Sequence, residues 1–259
     1  MMRLLKIELL KLLPYKTFRV LFLTYLVLLF SILLVADNFF GSIGAPKEQV
    51  LQFPNIWNYY TFCGGYLNII LVVIIIFITC NEFTYRTLRQ NIIDGLTRNE
   101  VVLSKIYLIV FLAVIITIAL FITGLIAGTM NGTIPGGGNF TDHLEFVFAF
   151  FIQTIGVMSL GYLLGNLFKR SAIAIVIFLI LLFPVDLILR EAVLPGWAAA
   201  YLPVNTYFWN LPPIPKIHIL SHGEEPTENL PTLLSLAVGS VYILIFFTTN
   251  WLLIRRRDL

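Results

Sequence analysis

Few residues in this sequence are of the types that carry catalytic or metal-binding chemistry, and they are scattered along the chain. Asp186 precedes Arg190 by four residues, and on a helix this spacing favours a local ion pair. His218 and His222 have the spacing of a helical metal site. Neighbouring proline and glycine residues favour a solvated loop there. Whether His218 and His222 bind a metal ion stays open. No catalytic triad or carboxylate pair can be assembled, and we predict no catalytic residue, no cofactor-binding residue and no metal ligand.

Nucleotide chemistry is also absent from the sequence. No G-x-x-x-x-G-K-[ST] motif occurs, and no glycine immediately precedes a lysine. Without a P-loop the chain is not expected to bind ATP itself or to be an enzyme. Cys63 and Cys80 lie 17 residues apart on one predicted helix, a rise of about 25 Å that excludes a disulfide bond between them.

The composition indicates a membrane protein. Of 259 residues, 59% are hydrophobic and 12% are charged, whereas soluble domains average about 25% charged residues. The mean hydropathy is +0.91. Apolar runs of about 20 residues, the length that crosses a bilayer, alternate with polar connectors. We therefore predict an all-α polytopic membrane protein, one transmembrane domain over 1–259 with six transmembrane helices at 18–36, 56–80, 106–130, 144–168, 172–189 and 232–254.

The basic residues predict the orientation of these spans. Counted on alternate sides, 14 Lys and Arg residues fall on one side and 3 (Lys47, Arg190 and Lys216) on the other. Because basic residues concentrate on the cytoplasmic side, both termini and the connector 81–105 are expected in the cytoplasm, with the chain multi-pass in the cell membrane.

Two further segments have distinct patterns. Residues 1–16 alternate Lys and Arg with Leu and Ile, which favours an amphipathic helix in the headgroup plane, ended by Pro14. A plain cytoplasmic lead-in is the alternative, and no cleavable signal peptide is expected. Residues 190–231 are rich in proline and aromatic side chains, so we expect an extracellular segment that packs on or re-enters the outer leaflet.

The segment 81–105 combines basic charge with helix signals. It is predicted to be helical around Phe83–Ile93 and broken at Gly95. Thr97 and Glu100 have the spacing of a capping box that starts the next helix. A basic loop that only sets topology and meets lipid headgroups is the alternative interpretation.

This segment and the six-span pattern resemble the ABC-2 type permease family, the membrane subunits of ABC exporters. The resemblance is carried by Asn81-Glu82-Phe83, Thr87, Gly95-Leu96-Thr97-Arg98, Glu100 and Ser104-Lys105. It implies that 81–105 carries a coupling helix that docks on a separate ATPase chain. The implied partners are two ABC ATP-binding subunits with bound ATP-Mg, a second permease subunit (homodimer or heterodimer) and membrane lipids, without nucleic acid.

From that resemblance we expect a coupling site at the cytoplasmic surface. Glu82, Arg86 and Arg89 would orient the loop, while Arg98 and Glu100 would anchor the docked helix. The full candidate set for ATPase docking and coupling is Glu82, Arg86, Arg89, Gly95, Thr97, Arg98 and Glu100.

The cargo is inferred from the spans. They are nearly free of charge and rich in aromatic residues, which favours an amphipathic, lipid-like or peptide cargo. Tyr66, Asn68 and Asp186 are the candidate residues of a cargo path, since polar side chains in spans face other helices or cavities. Two small-residue motifs, Gly124/Gly128 and Gly161/Gly165, favour packing within the chain over a subunit interface.

Two other functions stay open at this stage. Relatives of the permease family include membrane assembly or anchoring subunits of surface machinery or of metal-centre maturation. The second of these functions is an intramembrane enzyme, but Asn68 and Asp186 are too few to supply a catalytic cluster.

Overall fold

A computed structural model describes residues 2–42, 51–132, 140–211 and 232–256, and these are almost entirely helical. The helices are α1 (Met2–Leu12), α2 (Lys16–Ser42), α3 (Ile56–Thr84), α4 (Thr87–Ile93), α5 (Arg98–Asn131), α6 (Glu145–Phe168), α7 (Ser171–Val193), α8 (Gly196–Ala199), α9 (Pro203–Asn205) and α10 (Thr232–Arg255). The predicted all-helical class is confirmed for this part of the chain.

Membrane-spanning character is concentrated in the long helices. Among the described residues five helices, α3, α5, α6, α7 and α10, are long and apolar enough to cross a membrane. The bent pair Arg3–Leu12 and Lys16–Ile32, whose axes meet at 94°, raises this number to six when it is counted as one span. The protein is therefore a polytopic helical membrane protein. The sharp bend follows Leu12, where Pro14 ends α1 as predicted.

Helix α6 lies at the centre of the bundle and makes its largest interface with α3, followed by α10 and α5. Its glycines permit this close packing. A Cβ atom on Gly161 would lie 2.9 Å from Val72 Cγ1, and one on Gly165 would lie 2.9 Å from Thr79 Cβ. Contacts this short do not occur between real side chains, so the Gly161/Gly165 motif serves packing within the chain, as predicted.

The second small-residue motif seats aromatic side chains. Gly124 and Gly128 of α5 lie against the rings of Trp57 and Phe53, respectively. Trp57 and Tyr60 are fully buried. The aromatic cluster at the start of α3 thus lies largely inside the bundle.

Helix α7 departs from regular α geometry. Pro184 lies in a π-helical turn, Leu181–Val185, and a second π-helical turn covers Leu189–Val193. The missing N–H of proline makes the wider turn a natural place for it. The helix also extends four residues beyond the predicted end at 189.

The described start of segment 190–231 packs against the bundle. After α9 the chain forms one π-helical turn, Thr206–Asn210. Tyr207 is fully buried; its hydroxyl donates to the Gly239 carbonyl at 2.6 Å, and its own carbonyl accepts from Gln153 Nε2 at 2.6 Å. This part of the connector is therefore anchored to α6 and α10.

Candidate functional site

The connector between α3 and α5 contains a short separate helix. Helix α3 continues to Thr84, and Arg86 then adopts a left-handed conformation with φ 56°. Helix α4 follows over seven residues, and Gly95 with φ +97° ends the turn after it. The break at Gly95 was predicted. The helical structure predicted around Phe83–Ile93 is present, but it is interrupted at Tyr85 and Arg86. The Arg86 N–H closes the end of α3 on the Phe83 carbonyl at 3.3 Å, and the chain turns there.

The predicted capping box at the start of α5 is present. The Glu100 N–H donates to Thr97 Oγ1 at 3.3 Å, and the Thr97 N–H donates to Glu100 Oε2 at 2.8 Å. Each side chain thereby satisfies a backbone group that the helix leaves open. Glu100 accordingly caps the helix in which it lies, and both residues lie at the surface.

A buried ion cluster joins three helices at this end of the bundle. Lys105 Nζ of α5 donates to Glu8 Oε2 of α1 at 2.5 Å and to Glu82 Oε1 of α3 at 2.7 Å. All three side chains are more than 90% buried. A buried charge is tolerated only when it is paired and hydrogen-bonded, so the cluster holds the ends of α1, α3 and α5 in one arrangement.

Further contacts complete the environment of Glu8. Its Oε1 accepts from Ser104 Oγ at 3.2 Å and from Lys11 Nζ at 3.4 Å. Burial alone would raise the pKa of the Glu8 carboxyl, but the charges of Lys105 and Lys11 outweigh burial and hold that pKa below its usual value. Glu8 is therefore ionised at neutral pH and pairs as a carboxylate.

Glu8 and Lys105 are functional candidates that sequence reasoning missed, although Lys105 was recognised within the family pattern. One signal was visible: Glu8 is the only acidic residue before Asp37, within a helix otherwise basic and apolar. Beside the cluster lies a cavity of about 250 Å³ lined by Tyr15, Tyr85 and Thr87 among others. Helix α1 thus packs against the bundle through this cluster.

The start of α5 also contacts the end of α10. Arg98 Nη1 donates to the Arg255 carbonyl at 2.5 Å, and Trp251 Nε1 donates to Asn99 Oδ1 at 2.8 Å. The Arg255 guanidinium lies 5.1 Å from the centre of the Trp251 ring. Arg98, predicted as a docking residue, therefore links two helices of its own chain.

The outward surface of the connector belongs to α4 and its flanks. Leu88 is buried and attaches α4 to the bundle, whereas Arg86 and Arg89 are exposed. Ile93 and Tyr85 expose 70% and 65% of their surfaces. The structure thus brings Arg86, Arg89 and an apolar side chain to one exposed segment, while Glu82 faces inward to Lys105.

Among the candidate cargo residues, Asn68 lies in a packed interface. Its Oδ1 accepts from the Tyr25 hydroxyl at 3.2 Å, and its Nδ2 donates to Thr154 Oγ1 at 3.1 Å. It is fully buried and connects α2, α3 and α6.

Tyr66 and Asp186 instead line a cavity of about 460 Å³, together with Phe208, Trp209 and Arg190. The ion pair predicted between Asp186 and Arg190 is wrong. Arg190 Nε binds Glu191 Oε1 at 3.1 Å, and its guanidinium lies 5.1 Å from the centre of the Trp209 ring. Arg190 therefore makes its direct contacts with Glu191 and Trp209, although its charge still acts on Asp186.

Two remaining expectations concern cysteine and histidine. Cys63 and Cys80 are both free, as predicted. Within the described ranges no three His, Cys, Asp or Glu side chains lie together as a metal site would require. His218 and His222 lie outside the described residues.

Comparison with known proteins gives a family without an assigned activity. No curated protein and no solved structure matches the chain. Residues 33–259 match the model of a family described as a protein of unknown function, DUF2705. Since this match covers most of the sequence, the chain belongs to the DUF2705 family.

Proposed function

We propose that this chain is the permease subunit of an ATP-driven exporter of the ABC-2 type. In this proposal it crosses the cell membrane six times, with both termini and α4 in the cytoplasm. It hydrolyses no ATP and is not an enzyme; two ATP-binding subunits supply the energy, and a second permease subunit completes the transporter.

The observation that carries the proposal is the exposed helix α4 between two long spans. The outward residues of α4, together with Arg86 just before it, combine charge and apolar surface: Arg86 and Arg89 are exposed, and Ile93 is 70% exposed. Tyr85 just before the helix is also 65% exposed, and contiguous exposed apolar surface rimmed by polar residues marks protein or membrane interaction sites. Leu88 attaches α4 to the bundle, and the exposed side of the helix, with Arg89 and Ile93, is available to enter a groove on another protein.

The ion cluster supports a mechanism for transmitting force. A push on α4 acts on the end of α3 through Arg86 and on the start of α5 through Gly95. Lys105 binds Glu82 of α3 and Glu8 of α1, so these ends move together. The force then reaches the far end of α5, whose 34 residues correspond to about 51 Å. Rigid-body motion of this kind is a common switching mode.

A site-specific crosslinking experiment tests the proposal. A photoreactive amino acid at position 93 is expressed in the native host, and crosslinked partners are identified by mass spectrometry. We expect an ATP-binding subunit that carries a P-loop. The matched control places the same amino acid at Leu167, an exposed residue at the same end of the bundle but on α6, where no such crosslink should form.

Substitution of the α4 surface provides the second test. Arg89→Glu combined with Ile93→Asp should abolish co-purification of vanadate-sensitive ATPase activity while the protein still inserts into the membrane. Unchanged co-purification would contradict docking through α4. Crosslinks from position 93 to a surface-machinery protein without a P-loop would favour the alternative function, a membrane assembly or anchoring subunit.

Arg98 and Glu100 are less suited to such a test. Arg98 binds the end of α10 and Glu100 completes the cap of α5. Charge reversal at either residue would therefore disturb the chain's own fold together with any docking. The proposed cargo is an amphipathic, lipid-like or peptide molecule, since the spans carry little charge.

A further inference from the structure

The cavity beside α7 has the size and composition of a ligand site. It lies between α3, α7 and the turn Thr206–Asn210, and its volume of about 460 Å³ falls within the usual range of small-molecule pockets. Tyr66, Phe208 and Trp209 contribute aromatic walls, with ring centres of Phe208 and Trp209 at 6.3 and 6.4 Å from that of Tyr66. Most of the remaining lining is aliphatic.

One acidic group lines this aromatic and aliphatic cavity. Asp186 is only 5% exposed, and its Oδ1 atom has no hydrogen-bond partner among the protein atoms. A buried carboxylate without a partner is costly. A cationic ligand within a few ångströms of it would remove that cost, because an opposite charge at such a distance stabilises the ionised form.

Arg190 lines the same cavity and its charge acts on Asp186, but it forms no direct ion pair with that carboxylate. Its guanidinium is paired with Glu191 at 3.1 Å and lies over the Trp209 ring at 5.1 Å. The direct ion pair of Arg190 is thus with Glu191, and Oδ1 of Asp186 is left without a hydrogen-bond partner. The contact with Trp209 also shows that this aromatic wall accepts a cation on its face.

We propose that the cavity formed by Tyr66, Asp186, Phe208 and Trp209 binds an amphiphilic organic cation, with the cationic group near Asp186 and the apolar part along the aliphatic walls. The assignment of this ligand as cargo rests on the proposed exporter function; the binding itself does not. A lipid-like ammonium compound and a basic side chain of an amphipathic peptide share this chemistry.

A pair of probes with the same shape and opposite charge tests the site. The purified chain in nanodiscs, without any ATPase, is titrated with tetraphenylphosphonium and with tetraphenylborate, and binding to empty nanodiscs is subtracted. We expect the phosphonium to bind at least about tenfold more tightly. Asp186→Asn should weaken phosphonium binding by about tenfold or more, while Asp186→Glu should retain most of it. Trp209→Leu should weaken it by roughly two- to thirtyfold.

The control and the contrary results are defined by the structure. Asp94→Asn, at an exposed residue after α4, should leave binding unchanged. Equal binding of both probes, or full phosphonium binding by Asp186→Asn, would overturn the proposal. If Asp186→Asn does not fold, Leu187→Trp takes its place, because Leu187 lines the cavity from a largely exposed position. The larger side chain should fill the cavity and abolish phosphonium binding. Retained binding would overturn the proposal.

The outcomes separate the cavity from the exporter function. Phosphonium binding that depends on Asp186, without any ATPase partner for α4, would support the site and refute the exporter. An ATPase partner at α4, with no charge preference in the cavity, would refute the site and leave the exporter intact.

Discussion

The strongest quantitative prediction concerns Lys105→Met. Methionine has a similar length but no charge, so Glu8 and Glu82 would face each other without the ammonium group that now lies 2.5 and 2.7 Å from them. Removal of one partner from a buried ion cluster typically costs about 3–5 kcal/mol. We therefore expect the folding equilibrium to fall by roughly a hundredfold to several thousandfold.

Two matched variants separate the unpaired charges from other effects of the substitution. Lys105→Met combined with Glu8→Gln and Glu82→Gln has no buried charge in the cluster and should lie within about 1–2 kcal/mol of the parent protein, because a cluster replaced as a whole is often near neutral. Lys11→Met removes a partly exposed lysine, 3.4 Å from Glu8 and 3.9 Å from Glu82, and should cost much less than Lys105→Met, because solvent screens its charge and Lys105 still pairs both carboxylates.

The assay is the unfolding of the detergent-purified protein by added SDS, with the loss of structure monitored by circular dichroism. The parent protein, Lys11→Met and the triple variant should have similar unfolding midpoints, and the midpoint of Lys105→Met should be far lower. A Lys105→Met midpoint equal to that of the parent, or a triple variant as unstable as the single one, would refute the reasoning from buried charge.

Three further predictions are tested by the same SDS unfolding assay. Thr97→Ala removes the capping box and should cost about 1 kcal/mol, whereas Thr248→Ala, on an exposed face of α10, should cost less; equal effects would contradict the cap. Asn68→Leu leaves the Tyr25 hydroxyl without its buried acceptor and should cost about 1–3 kcal/mol, and much less when Tyr25→Phe is already present. Gly161→Ala introduces a Cβ 2.9 Å from Val72 and should cost about 1–3 kcal/mol, part of which Val72→Ala should restore.

Local patterns in the sequence predicted local structure well. The long apolar runs identified the helices, Pro14 the bend after α1, Gly95 the break after α4, and Thr97 with Glu100 the start of α5. Each of these features depends on residues within one or two helical turns, so the physical cause is contained in the pattern itself.

Contacts between distant residues could not be predicted in this way. Glu8 meets Lys105 across 97 positions, and no periodicity in α1 indicates that pairing. Asp186 and Arg190 had the right spacing for an ion pair, but Trp209 and Glu191 compete for the arginine. The left-handed turn at Arg86 was missed because arginine carries no local preference for that conformation.

The ion cluster also has a consequence for biogenesis. The ribosome makes Glu8 first, and its partners Glu82 and Lys105 follow 74 and 97 positions later. At about 5–20 residues per second, Lys105 is synthesised roughly 5–20 s after Glu8. During that interval the Glu8 carboxylate of α1 has neither of these partners. Helix α1 is therefore secured by this cluster only after α3 and the beginning of α5 have been made.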